Sequence, residues 1–348
     1  MSKRLLIAVS IAALGTITGT SLSAQATATP QSALKRGLYE ADWAYKLADG
    51  VTYKDVSYYS DDMRTYARVF YPKGYSATGK IPAVVLGQGW AGHHWSIEKY
   101  GARFAERGLV AMVIDYRGWG LSDGFVTLAE PLPKPKEVTY PDERRHLDTT
   151  VRVHVKRTRL LPQKMIEDYR SAISYVQGEP GVDPERIGLW GSSFAGGHAL
   201  TAASLDLRVK ALSVQVPSVA GYNVPEGPRA MSPAVLKEAI QLARTGRSTE
   251  FLTGYSAQRM VDIETNEAVA NNFPFHRLKY IGNRPVQFIV AENEELTNNK
   301  TNAYAAMEVL TGPKNLISVK TTHFGMYIDE AFEISSNAAA AWFLKYLK

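Results

Sequence analysis

Short apolar runs alternate with amphipathic stretches along most of the chain. Residues 51–59 and 63–72 flank Ser60-Asp61-Asp62 and predict two antiparallel strands joined there. Residues 81–86 (IPAVVL) form a β-branched run that ends at Gly87. Residues 96–107 have helical spacing and stop at Gly108, and 109–114 read as a buried strand ending at Asp115. An amphipathic helix is expected over 162–177, then a strand over 186–190 followed by small residues and a helix. Strands over 209–216, 285–291 and 316–319 and a terminal helix over 333–347 complete the pattern. Continuous apolar strands between helices imply an α/β fold whose mostly parallel sheet has helices on both faces.

Two stretches break the alternation. Residues 124–161 are rich in proline and charge, and 217–280 read as mainly helical. Both are expected to be insertions over the carboxyl ends of the strands, where ligands bind in open α/β sheets, forming a helical and loop lid. The N-terminus carries Lys3 and Arg4, an apolar run over 5–14, and Ala24-Gln25-Ala26. That is the layout of a secretory signal peptide, cut after Ala24 or Ala26. The apolar run falls short of the roughly 20 residues a spanning helix needs. The expectation is a signal peptide over 1–26 and a single domain over 27–348. The protein would be exported, periplasmic or secreted, without stable membrane insertion.

Composition narrows the classes. The 348 residues are 45% hydrophobic and 21% charged, as in an ordinary globular chain. With no cysteine, disulfides, thiolate nucleophiles and cysteine-ligated metals are excluded. A net charge of +6 is mild and does not suggest a nucleic-acid partner. From Lys134 to Arg159 eight cations face four anions, which reads as a solvated charged lid or a field favouring an anionic substrate.

The chemistry concentrates at residues 187–198, IGLWGSSFAGGH. A serine on a sharp strand-to-helix turn needs small residues two positions to either side. Around Ser193 these are Gly191 and Ala195; around Ser192 they are the bulky Trp190 and Phe194. Ser193 is therefore the candidate nucleophile and Ser192 a spacer. Together with VVLGQGWAG (84–92) and DYRGWGLSDG (115–124), this segment resembles the α/β-hydrolase superfamily of serine hydrolases. The likeness is closest to bacterial dienelactone-hydrolase-like and CocE-type acyl hydrolases, from about residue 51 to the end.

The resemblance implies a chain order of serine, acid, histidine. After Ser193 come His198, His276 and His323. His198 lies on the elbow helix and is expected to pack or hydrogen-bond locally; His276 precedes the strand that should carry the acid. His323 follows the last strand and is the expected base. The acid falls in the segment Glu292-Asn293-Glu294-Glu295; the resemblance points to Glu294, with Glu292 next and Glu295 last. It also implies an oxyanion hole from the backbone N–H groups of Phe194 and Trp90. Gln88 stands where similar proteins have histidine, and Gln88 and Trp119 are candidate pocket residues. His93 and His94 have no third ligand at a matching spacing, so no metal is expected and no cofactor is required. The activity that the resemblance implies is cleavage of a small-molecule carboxylic ester through an acyl-enzyme on Ser193. An X-Pro-type amidase or peptidase and a non-catalytic binding protein on the same fold are the alternatives.

Overall fold

Strands that are apolar at every position must be covered on both sides, and the arrangement of elements provides that cover. The computed structural model describes residues 45–131, 150–157, 159–221, 233–245 and 263–348. These lie within one compact unit, Ala41–Lys348. The expected signal peptide lies outside the described residues, as do Lys134, Lys136, Arg144 and Arg145 of the first insertion.

The strands are β1 (Thr52–Ser60), β2 (Met63–Tyr71), β3 (Ile81–Gly87), β4 (Val110–Ile114), β5 (Phe125–Leu128), β6 (Val153–Lys156), β7 (Val182–Ser192), β8 (Val209–Gln215), β9 (Val286–Asn293) and β10 (Lys314–Thr322). The helices are α1 (Glu98–Glu106), α2 (Pro162–Gln177), α3 (Phe194–Leu205), α4 (Pro233–Thr245), α5 (Ile263–Ala270), α6 (Pro274–Arg277), α7 (Ala305–Val309) and α8 (Asp329–Tyr346). Eight strands form one sheet in the order β1-β2-β4-β3-β7-β8-β9-β10. β1 and β2 pair antiparallel, as do β2 and β4. Every other pairing in that sheet is parallel. The β1–β2 turn places Asp61 at φ 53° and Asp62 at φ 59°, a left-handed pair matching the twist of a two-residue hairpin.

Side chains along each central strand alternate between two cores. Ala83 and Val85 of β3, Val110 and Met112 of β4, and Leu189 of β7 face the core shared with α2 and α3. Their neighbours Val84, Leu86, Ala111, Val113 and Trp190 face the core shared with α1 and α8. Each helix layer thus seals one face, and the functional ends of the strands are left at the rim.

The elements differ from the sequence expectation in several places, and β7 and β10 run longer than the expected 186–190 and 316–319. The first insertion contains an unforeseen antiparallel ribbon of β5 and β6, separate from the main sheet. Its strands are four residues each, too short to stand out against the surrounding proline and charge. Lys300–Tyr304 is a π-helical turn leading into α7, where no helix was expected. The last helix begins at Asp329, earlier than 333, with Asp329 and Glu330 as acidic residues in its first turn. The described part of the second insertion is helical, with α4, α5 and α6 followed by a 3₁₀ turn, Leu278–Ile281.

Candidate active site

Three parallel strands each deliver one polar residue at their carboxyl ends. β7 ends at Ser192 and is followed by Ser193; β9 ends at Asn293, before Glu294; β10 ends at Thr322, before His323. Neighbouring strand ends lie at one rim of the sheet, so residues far apart in sequence meet there.

Ser193 has φ 57° and ψ −123° and caps α3. A side chain in this region is strained, so the surrounding structure must hold it. Its N–H donates to the Gln215 carbonyl at 2.8 Å, and its own carbonyl accepts from Gly196 and Ser218, both at 2.9 Å. Gly191 makes the turn possible: a Cβ there would fall on the carbonyl of Ala195. Because the closest approach is at Gly191, Ala195 keeps its methyl, fully buried in the core.

His323 is 1% exposed and bridges the other two residues. Its Nε2 lies 3.0 Å from Ser193 Oγ, and its Nδ1 lies 2.7 Å from Glu294 Oε1. An ionised carboxylate can only accept, so Nδ1 carries the proton and Nε2 faces the serine as an acceptor. Glu294 Oε1 also accepts the N–H groups of Leu296 at 2.9 Å and Thr297 at 3.0 Å. Burial raises the Glu294 carboxyl, but the bonds from His323 and these two amides outweigh it and leave it below the ordinary carboxylate range. The structure brings Ser193, His323 and Glu294 together. It leaves Glu292 exposed, and it gives Glu295 a different partner: Glu295 Oε2 accepts the backbone N–H of His323 at 2.8 Å. Two successive glutamates therefore hold one histidine, by its ring and by its backbone. Which backbone group Glu295 accepts from depends on the register between β9 and β10.

Beyond β3, Gly89 lies against the serine: a Cβ at Gly89 would stand 2.8 Å from Ser193 Cβ. Trp90 follows, and its ring meets that of Phe194 with centroids 5.1 Å apart. Phe194 is the first residue of α3, where a helix leaves its N–H groups without intrahelical acceptors. Gln88 is buried and reaches across its own loop, its Nε2 donating to the Gly92 carbonyl at 3.4 Å. Trp119 is 7% exposed, packs in the α2–α3 core and donates from Nε1 to the Arg159 carbonyl at 2.7 Å.

The remaining histidines are held elsewhere. His94 Nδ1 lies 2.6 Å from Asp115 Oδ2, and its backbone N–H donates to Asp115 Oδ1 at 2.7 Å. This double contact fastens the loop after β3 to the end of β4. Among the described residues no group of three or more His, Cys, Asp or Glu is placed to hold a metal ion. His198 is fully buried against Phe194, with ring centroids 4.4 Å apart, and neither ring nitrogen has a hydrogen-bond partner. Of the two expected options it packs. Burial pulls it down to about 3, so it is neutral. His276 lies on α6, beside the ring of Phe273.

Comparison with known proteins adds the family. The acetyl xylan esterase (AXE1) family matches residues 27–227. The quorum-quenching protein AidA of Acinetobacter baumannii is 25% identical over 312 residues, covering 80% of this chain and 90% of AidA. The thiohydrolase apmlB of Arthrinium phaeospermum is 29% identical over 280 residues, covering 69% of this chain and 80% of its own. Among solved structures, the α/β hydrolase GrgF from Penicillium sp. sh18 superposes with a TM-score of 0.65 at 18% identity, covering 85% of this chain and 99% of that one. The fold is the α/β-hydrolase fold.

Proposed function

The chain belongs to the acetyl xylan esterase (AXE1) family, an assignment that makes it a serine-type carboxylic ester hydrolase, and from that premise we propose that Ser193 forms an acyl-enzyme during ester cleavage. The observation that carries this reading is the His323 ring, with Nε2 3.0 Å from Ser193 Oγ and Nδ1 2.7 Å from Glu294 Oε1. His323 takes the serine proton as Oγ attacks the ester carbonyl. Glu294 holds the ring in the tautomer that can accept and stabilises the imidazolium that forms. The tetrahedral oxyanion rests between the N–H groups of Trp90 and Phe194, donors fixed before the charge appears. His323 then gives its proton to the leaving alcohol, and the same histidine activates the water that releases the acid.

The substrate is a small-molecule ester, and no cofactor takes part in the scheme. Because apmlB bears the name thiohydrolase, an acyl thioester is a second substrate class to test on the same serine. The pattern of residues 1–26 supports export to the periplasm or medium. Among the described residues no helix is long and apolar enough to cross a membrane.

The test is turnover of p-nitrophenyl esters from acetate to octanoate, and of an acyl thioester, by wild type and Ser193→Ala. Turnover should fall by at least about 10⁴-fold in the variant. A fluorophosphonate probe should label wild type and leave Ser193→Ala unlabelled. Equal turnover in both proteins would remove Ser193 from the mechanism.

A further inference from the structure

The residue before the nucleophile is also a serine, and the proposed reaction does not use it. Ser192 is fully buried. Its Oγ lies 2.6 Å from the hydroxyl of Tyr327, a contact between positions 135 residues apart in sequence. Tyr327 closes the 3₁₀ turn Phe324–Tyr327 that starts immediately after His323. One bond therefore joins the residue preceding Ser193 to the turn following His323.

We propose that Ser192 and Tyr327 form a positioning pair that latches the His323 turn to the nucleophile elbow and so fixes the distance between Ser193 and His323. The proposal rests on the reading of Ser193 and His323 given above. Its physical need is plain. The 3.0 Å contact between Ser193 Oγ and His323 Nε2 must loosen and reform in every cycle, because the oxygen becomes acylated. A bond that takes no part in the chemistry can hold the two segments while that contact is broken.

The direction of the bond follows from its neighbours. Ser192 Oγ accepts from Gln215 Nε2 at 3.2 Å and reaches the Gln215 backbone carbonyl at 3.4 Å. That carbonyl has no proton to give, so the serine proton is directed there and Tyr327 is the donor to Oγ. Burial pushes the Tyr327 hydroxyl up to about 12, with the Glu294 charge adding to the shift, so it keeps its proton wherever the enzyme works. A second tie lies behind the first. Gln215 Nε2 also donates to the Tyr100 hydroxyl at 3.0 Å, and Tyr100 donates to the Met326 carbonyl at 3.2 Å. The His323 turn is thus held at Met326 and at Tyr327, and both ties converge on Gln215 beside the elbow.

The experiment compares Tyr327→Phe, Ser192→Ala and the double variant with wild type, and Ser193→Ala serves only as the unlabelled control. Rates are expressed per fluorophosphonate-titrated site, so unfolded protein does not count. Tyr327→Phe keeps the ring and removes only the latch oxygen. We expect kcat to fall about tenfold with KM within about twofold, since misplacing reacting groups by a fraction of an ångström costs rate rather than ground-state affinity. The labelling rate should fall in parallel, because the same serine–histidine geometry drives both attacks. The double variant should lose no more than the worse single variant, as expected when both changes break one bond. A lower melting temperature with unchanged kcat per site would make the bond structural only and overturn the proposal. So would losses carried by KM, or losses that add in the double variant. If wild type shows no Ser193-dependent turnover or labelling, the hydrolase reading itself fails and the latch falls with it.

Discussion

Glu292, Glu294 and Glu295 carry the same functional group within four positions, yet each meets a different fate. Glu294 holds the ring of His323, Glu295 holds its backbone, and Glu292 is exposed. Glu294→Gln should lower kcat by about 10²–10⁴-fold, because a neutral amide neither fixes the tautomer as firmly nor stabilises the imidazolium. Glu292→Gln should leave kcat within about twofold, as surface substitutions usually do. Steady-state kinetics of the glutamine series decides the assignment, and near-normal turnover in Glu294→Gln would refute it. The sign of the pH effect follows from the lowered Glu294 carboxyl. Its ionised contacts stabilise the native state above the ordinary carboxylate range, and that contribution is lost as pH falls through the lowered value.

His198 works in the same direction for a different reason. It is neutral in the fold down to about 3, whereas an unfolded histidine takes a proton near 6.5. Between those values the unfolded chain binds the extra proton, so stability falls with falling pH by up to about 1.4 kcal/mol per unit. His198→Leu should flatten this dependence in urea unfolding series at pH 7, 6 and 5. At pH 7 it should be neutral or stabilising, since it removes two buried nitrogens that lack partners. An unchanged pH slope in the variant would show that other groups set it. The serine was legible from sequence because its constraint is local: Gly191 and Ala195 lie two positions away. Neither the Glu295 contact nor the Ser192–Tyr327 bond was legible, because each joins segments whose register only the folded sheet defines.

Elements differed in legibility according to what buries them. β3, β4, β7, β8 and β9 read clearly because parallel strands covered on both faces become continuous apolar runs. The β5–β6 ribbon did not. Its Val126 opposes Val155 and its Leu128 opposes Val153, and all four are exposed. An alternation that faces solvent with its apolar side offers no core signal to read. The loop after β3 combines both situations: its entrance is predictable from the apolar run, but its closeness to Ser193 is not. Gly89 is where that closeness acts. Gly89→Ala places a methyl 2.8 Å from Ser193 Cβ and must push the loop or the serine aside. Activity per milligram should fall by about 10²-fold, the cost of a displaced oxyanion donor, while far-ultraviolet circular dichroism is unchanged. Full activity in this variant would mean the loop yields without moving its N–H donors.

Across the whole molecule, a largely buried chain of charge ties the antiparallel edge of the sheet to the loop beside Ser193. Asp55 of β1 lies 2.7 Å from Arg68 of β2, and Arg68 lies 3.0 Å from Glu98 of α1. Glu98 lies 3.5 Å from His94, which is fastened to Asp115 at the end of β4. Arg68 is 2% exposed and Glu98 fully buried, so neither charge has water to fall back on. Glu98→Ala should cost about 3–5 kcal/mol in urea unfolding, since it takes a fully buried carboxylate partner away from a buried guanidinium. A loss below about 1 kcal/mol would show that the remaining partners of Arg68 suffice. With no cysteine in the chain, cohesion of this kind and the two apolar cores must carry the fold without disulfides.

The backbone at Ser193 sits at φ 57°, a conformation that costs a side chain on the order of 1–3 kcal/mol and a glycine almost nothing. On the proposed role of Ser193, heat resistance and reactivity therefore pull this one codon in opposite directions. In a lineage freed from the need for turnover, drift towards glycine at position 193 would be rewarded by a firmer fold. The first sign of a lost enzyme would then be a more durable protein.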